Sequence, residues 1–167
     1  GRAAAVAAHA ARGARGRGFG GGWLMRGVAL IDTVGVDGNG PGLGLLPLVT
    51  SFEAEKTVRP AHTRFGAVQG AWQALGGVPV QGYEIHHGQT AQHPAMAAKG
   101  DVAREVIPGL AWQNGAGNVL GLYLHGLFED GGVLRALFGA GAPTLEQVFD
   151  RMAEGVGRWF DPRVLEI

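Results

Sequence analysis

Val119-Leu-Gly-Leu-Tyr-Leu-His-Gly-Leu-Phe-Glu-Asp130 decides the fold class. Six residues without a charge, Val119–Leu124, are short and apolar enough for a strand buried on both faces. His125-Gly126 ends that run. Asp130 has the side chain and the position to cap a helix running through Phe138. A buried strand that turns into a capped helix is the unit of α/β folds.

Outward from this stretch the same alternation continues. Leu48–Phe52, Val58–Phe65, Val80–His87 and Arg104–Ile107 read as strands, with Pro60 putting the second near an edge or a bend. Asn114-Gly115 is a turn signal. Arg2–Arg12 is alanine-rich and stops at Gly13, as a helix does. Gly16–Gly22 reads as a glycine-rich turn, with a short helix over Trp23–Val28 leaving it, and Asp37–Gly44 reads as a loop. Thr144 and Gln147 have capping-box spacing and open a helix to about Trp159. Its apolar positions Leu145, Val148, Phe149, Met152 and Val156 have helical spacing and predict a stripe packed on the core. The pattern predicts one domain over residues 1–167, a three-layer α/β fold with a mostly parallel sheet.

Composition narrows the function. The chain has 167 residues, 46% hydrophobic and 17% charged, with no formal net charge. A globular domain fits this, and nothing in it attracts nucleic acid or an anionic membrane. No apolar run is long enough to span a bilayer. There is no cysteine; this excludes disulfides, thiolate metal sites and a cysteine nucleophile, and fits a reducing compartment such as the cytoplasm. The chain opens on Gly1 directly in a helical pattern, which leads to the expectation of a further N-terminal portion.

Other readings are weaker on chemical grounds. His86, His87, His93 and His125 with Glu84 could be imagined around zinc, but adjacent histidines on a strand face opposite ways, so no metal site is expected. Gly16, Gly18 and Gly21 match G-x-G-x-x-G, yet the segment before them is a poor strand. No P-loop motif occurs. Lys56 reads as a surface lysine in a strand connection.

Four segments carry the remaining signal: Gly18-Phe-Gly-Gly-Gly-Trp-Leu-Met-Arg-Gly27; Gly42-Leu-Gly-Leu-Leu-Pro-Leu-Val-Thr50 with Glu55-Lys56-Thr57 after it; Gly82-Tyr-Glu-Ile-His-His-Gly-Gln-Thr90; and Leu122-Tyr-Leu-His-Gly-Leu-Phe-Glu-Asp130. In this order they resemble the glutamine amidotransferase domain of the cobyric acid synthase family. The resemblance covers about residues 9–166. It implies a flavodoxin-like amidotransferase fold, here expected to lack its N-terminal strands. It also implies glutamine as substrate, with ammonia passing to an N-terminal ATP-dependent synthetase domain that amidates a corrinoid, adenosylcobyrinic acid a,c-diamide. No cofactor is expected in this domain; ATP and magnesium belong to the synthetase domain.

Residue by residue, the resemblance makes His125 the general base. It puts Gly20 where the family has its nucleophilic cysteine, on a sharp strand-to-helix turn, and gives the Gly21 backbone N–H to an oxyanion site. Without a side chain at Gly20 no thioester can form. Arg15 and Arg17 stand where the family has an apolar strand, and Leu24 and Arg26 replace its glutamine and leucine. Tyr83, His86, His87 and Gly88 are expected to line the glutamine pocket. Glu129 could orient His125, but the family does not keep its third residue there, so Glu129 also reads as a charge at a helix N-terminus. His125 taken alone reads first as a histidine that caps the next helix or bonds a carbonyl; the surrounding Tyr123–Glu129 string reverses that preference. A non-catalytic binding domain of the same fold, or a relative acting on cobyrinic acid or a cell-wall precursor, are the competing functions.

Overall fold

In the computed structural model, residues 2–14, 16–19, 26–36 and 38–159 are described. Eight strand and helix segments named from sequence reappear in it, most with shifted ends, and their pairing follows from the lengths of the connections. The strands are β1 (Gly16–Phe19), β2 (Ala29–Ile31), β3 (Gly40–Pro41), β4 (Leu48–Arg64), β5 (Pro79–Gln92), β6 (Arg104–Ile107), β7 (Ala111–Gln113), β8 (Val119–Leu122) and β9 (Leu124–His125). The helices are α1 (Arg2–Ala11), α2 (Pro94–Ala97), α3 (Gly131–Phe138) and α4 (Leu145–Trp159), with a 3-10 turn over Gly70–Leu75.

Two sheets form, in the orders β1-β8-β7-β6 and β3-β2-β4-β5-β9. The α/β class expected from sequence holds, and the architecture is consistent with a flavodoxin-like amidotransferase domain. The mostly parallel sheet does not hold for the described strands. Only β1/β8 and β2/β4 run parallel; the other pairs are antiparallel. The reason is geometric. A parallel pair needs a crossover of a dozen or more residues, whereas residues 108–110 join β6 to β7 and residues 114–118 join β7 to β8. The second of these turns is tied by Asn114, whose side-chain oxygen accepts from the backbone of Asn118 (3.1 Å) and Val119 (2.9 Å).

β4 and β5 also depart from the expectation. The two strands read at Leu48–Phe52 and Val58–Phe65 are one strand, paired with β5 along its length except at a bulge between Phe52 and Thr57. Pro60 is tolerated because β2 pairs β4 only at Val49, Thr50 and Ser51, so among the described strands β4 around Pro60 has a neighbour on one side only. The segment read as a glycine-rich turn from Gly16 is a strand as far as Phe19. Four backbone pairings to the buried β8 outweigh the poor strand propensity of glycine.

β8 is buried on both faces, as its sequence requires. Leu120 and Leu122 join Leu124, Phe65, Trp72, Leu75, Ile107 and Val133 in one cluster. Val119 and Tyr123 point the other way, into a cluster with Leu46, Leu48 and Trp112. The Trp72 indole donates to the Asn118 carbonyl (2.9 Å), and the fully buried Gln113 amide bonds the backbone of Gln69 and Gly117. These bonds satisfy polar groups that would otherwise be costly inside. Asp130 caps α3 by accepting from Gly132 (2.8 Å) and Val133 (3.1 Å). Among the described residues no helix is long and apolar enough to cross a membrane.

The stripe on α4 is a correction. Leu145, Val148, Phe149 and Met152 are all exposed; no described element covers them. Val156 belongs to the same predicted stripe, and its side chain lies outside the described residues.

Candidate functional site

The site is built where the chain leaves one sheet and enters the other. β8 ends at Leu122 and β9 begins at Leu124, so Tyr123 alone spans the change. Its backbone N–H bonds the Leu110 carbonyl (2.8 Å). Beyond it, His125 pairs across β9 with Tyr83 of β5, and Leu124 with Glu84. Directly opposed residues share a face, so Tyr83 and His125 lie on one side of the sheet.

Two glycines allow this. Gly126 has φ +82, in the left-handed region that glycine occupies freely. A Cβ on Gly82 would lie 2.1 Å from the His125 carbonyl oxygen, so β9 can approach β5 only where the side chain is absent.

A cavity of about 330 Å³ opens beside this junction, lined by Pro60, His62, Tyr83, Gly126 and Glu129 among others. Tyr83 is 56% exposed to it and to solvent. The Nε2 atom of His125 is buried and has no hydrogen-bond partner among the described residues. It is therefore not spent on a carbonyl, and the helix that follows is capped by Asp130 instead. The Glu129 carboxylate makes no hydrogen bond to His125; its backbone N–H bonds the Gly126 carbonyl (2.9 Å) and closes the turn.

The remaining pocket residues from sequence separate by strand alternation. Glu84, His86 and Gly88 are buried on the face away from Tyr83. Gly88 is held against β4, since a Cβ there would meet Thr50 at 2.7 Å. His87 is half-buried on the Tyr83 face, with its Nδ1 unpartnered among the described residues. Of the site residues named from sequence, Tyr83 and Glu129 line the cavity beside the junction; His125, His86, His87 and Gly88 do not. Gly20 and Gly21 lie outside the described residues.

Sequence reasoning missed a polar network beneath the site. Glu84 accepts from Arg59 Nε (2.5 Å) and is hydrogen-bonded to His86 Nε2 (2.8 Å). The His86 ring stacks on Tyr123 (centroids 3.9 Å apart, planes 25°). The Tyr123 hydroxyl shares a hydrogen bond with Thr90 (2.5 Å), which shares another with Thr50 (2.7 Å). The available signal was alternation: Glu84 and His86 are two apart on a strand and must face the same way. Arg59, far off in sequence, gave none.

Burial alone would push the Glu84 carboxyl up. The hydrogen bonds from Arg59 and His86, with their charges, outweigh it and hold the group below its ordinary value. A carboxyl lowered in the folded state adds stability above its unfolded-state pKa, about 4.3, and loses it as pH falls through the folded value. Urea denaturation from pH 7 to pH 3 is expected to show this loss below about pH 4.3, and a flatter curve in Glu84→Gln. Parallel curves for the two proteins would show that the network carries no linkage.

Residues 1–133, out of 167, match the CobB/CobQ-like glutamine amidotransferase domain family. The chain belongs to this family. Among relatives of this amidotransferase, the cobyric acid synthase of Acidovorax sp. (strain JS42) is 77% identical over 163 residues, which is 98% of this chain and 33% of the relative. That of Paracidovorax citrulli (strain AAC00-1) is 72% identical over 159 residues, 95% of this chain and 32% of the relative. That of Leptothrix cholodnii is 52% identical over 165 residues, 94% and 32%. The amidotransferase chain thus matches the corresponding domain of cobyric acid synthase and spans about a third of the length of the curated relatives. Those relatives carry a further domain.

Proposed function

We propose that the chain is the glutamine-handling part of a cytoplasmic cobyric acid synthase, working with an N-terminal ATP-dependent domain that amidates adenosylcobyrinic acid a,c-diamide. ATP and magnesium belong to that domain, and this one needs no cofactor of its own. The observation that carries the reading is the parallel register of β1 on β8. Phe19, the residue before Gly20, pairs with Leu122, three residues before His125. Both strands run out at the same end of the sheet, which is where open α/β sheets bind ligands.

The chemistry follows from that end. With a thiol at position 20, the His125 imidazole takes the thiol proton and the thiolate attacks the glutamine amide carbon. The Gly21 N–H stabilises the oxyanion. The imidazole returns the proton to the leaving nitrogen, ammonia departs, and a thioester remains. Water, deprotonated by the same imidazole, then releases glutamate. Tyr83 and Glu129 line space suited to the amino-acid end of glutamine, with the Glu129 carboxylate facing its ammonium. His87 lies on the same face, while His86 and Gly88 support it from behind. With glycine at position 20 the chain binds glutamine and does not cleave it. The absence of cysteine from the whole sequence equally favours a second reading, a domain kept for binding alone.

Calorimetric titration of the chain with glutamine, and ammonia release by the chain and by Gly20→Cys, test this. Binding by both, with ammonia released only by Gly20→Cys, is the expected result. Binding without release in either supports the second reading. No binding to either protein would overturn the proposal.

A further inference from the structure

Helix α4 has the pattern of a buried helix, yet its described apolar side chains are exposed. Thr144 and Gln147 cap each other reciprocally (3.0 and 3.2 Å), which fixes the first turn and hence the phase of the face behind it. Leu145, Val148, Phe149 and Met152 then fall at i, i+3, i+4 and i+7, the spacing by which an amphipathic helix fills an apolar groove. They are 48%, 36%, 58% and 59% exposed. The surface is continuous with the candidate site: Leu145 lines a cavity with Gly126, Leu127 and Phe128, and the Phe128 ring lies 6.4 Å from the exposed Phe138.

Two observations bear on what covers it. The match to the amidotransferase family ends at residue 133, before α4 begins. The match to the Acidovorax sp. synthase takes in 163 of 167 residues, so it must include α4, and that synthase is three times as long as the match. The helix therefore lies beyond the family match and within the match to the synthase. We infer that the Leu145–Met152 face docks onto the part of the cobyric acid synthase polypeptide that this chain does not span. The receiving surface is an apolar groove, met by Glu146 on one flank of the stripe and Arg151 on the other. The inference rests on the reading of the chain as one part of a synthase.

Two measurements decide it, and neither uses glutamine. In this chain, the double variant Phe149→Asp/Met152→Asp is expected to keep its Tm within about 3 °C, as surface substitutions do. A fall of about 10 °C or more would mean that the face packs within its own domain, and would overturn the inference. In the full-length Acidovorax sp. relative, a photo-crosslinking amino acid at the position aligned with Phe149 is expected to capture a peptide from the two-thirds outside the match. Capture within the matched third, capture between two copies in an isotope-mixed sample, or no capture would each overturn it. If glutamine fails to bind while the crosslink forms, the functional reading fails and the docking surface stands.

Discussion

His125→Ala, made in the Gly20→Cys protein, lowers glutamine hydrolysis by about 10²–10⁴-fold, the range for loss of a positioned general base. The expectation rests on three observations. The Nε2 atom is buried and has no partner among the described residues. Tyr83, the residue paired with His125, opens onto the cavity. The strand carrying His125 ends alongside the one that leads to position 20. The expected effect is in kcat, because a general base acts on the reacting proton and not on the amino-acid end of the substrate. Ammonia release and glutamine affinity, measured separately, distinguish the two. Added imidazole should restore part of the lost rate in His125→Ala, which a merely structural role would not allow. An unchanged rate, or a loss entirely in affinity, would remove His125 from the mechanism.

Gly82→Ala destabilises the fold by about 2–4 kcal/mol, in the range for forcing atoms into a closed space. The new methyl would stand 2.1 Å from the His125 carbonyl oxygen and 3.2 Å from the Leu124 side chain. The first contact is backbone, which cannot swing away as a flexible side chain can. β9 must therefore move off β5, and both pairings in that ladder are at risk. Thermal unfolding should fall by about 5–15 °C for a chain of this size. Gly141→Ala is the control: an added Cβ there meets nothing within 4 Å, so its Tm should barely move. Equal behaviour of the two variants would show that the close approach of β9 is not needed for stability.

What could be read from sequence was local. The Asp130 cap and the Thr144–Gln147 box are contacts over two or three residues, and both formed as their spacing predicts. Strand positions were legible because apolar runs and turn residues mark them. Pairing direction was not, since it depends on how short the connections between β6, β7 and β8 are in space. Gly16–Phe19 could not be read as a strand because its glycines and Arg17 have little strand propensity; its partner β8 lies a hundred residues away. For α4, periodicity gave the face that needs cover but not the surface that provides it. In the site, the motif strings led to His125 and Tyr83, which the structure sets side by side. They also grouped His86 with Tyr83, although adjacent parity on a strand divides them. The Arg59 partner of Glu84 is visible only once β4 and β5 are in register.

Tyr123 acts as a rivet between two plates. One neighbour in sequence belongs to the four-stranded sheet and the other to the five-stranded sheet. Its hydroxyl, ring and backbone N–H are each fastened to a different part of the molecule. The imidazole sits only two residues past that rivet, a lever too short to absorb shear. Any slippage of one plate over the other is therefore transmitted almost whole to His125, so the alignment of this one side chain is a gauge of how tightly the sheets are joined.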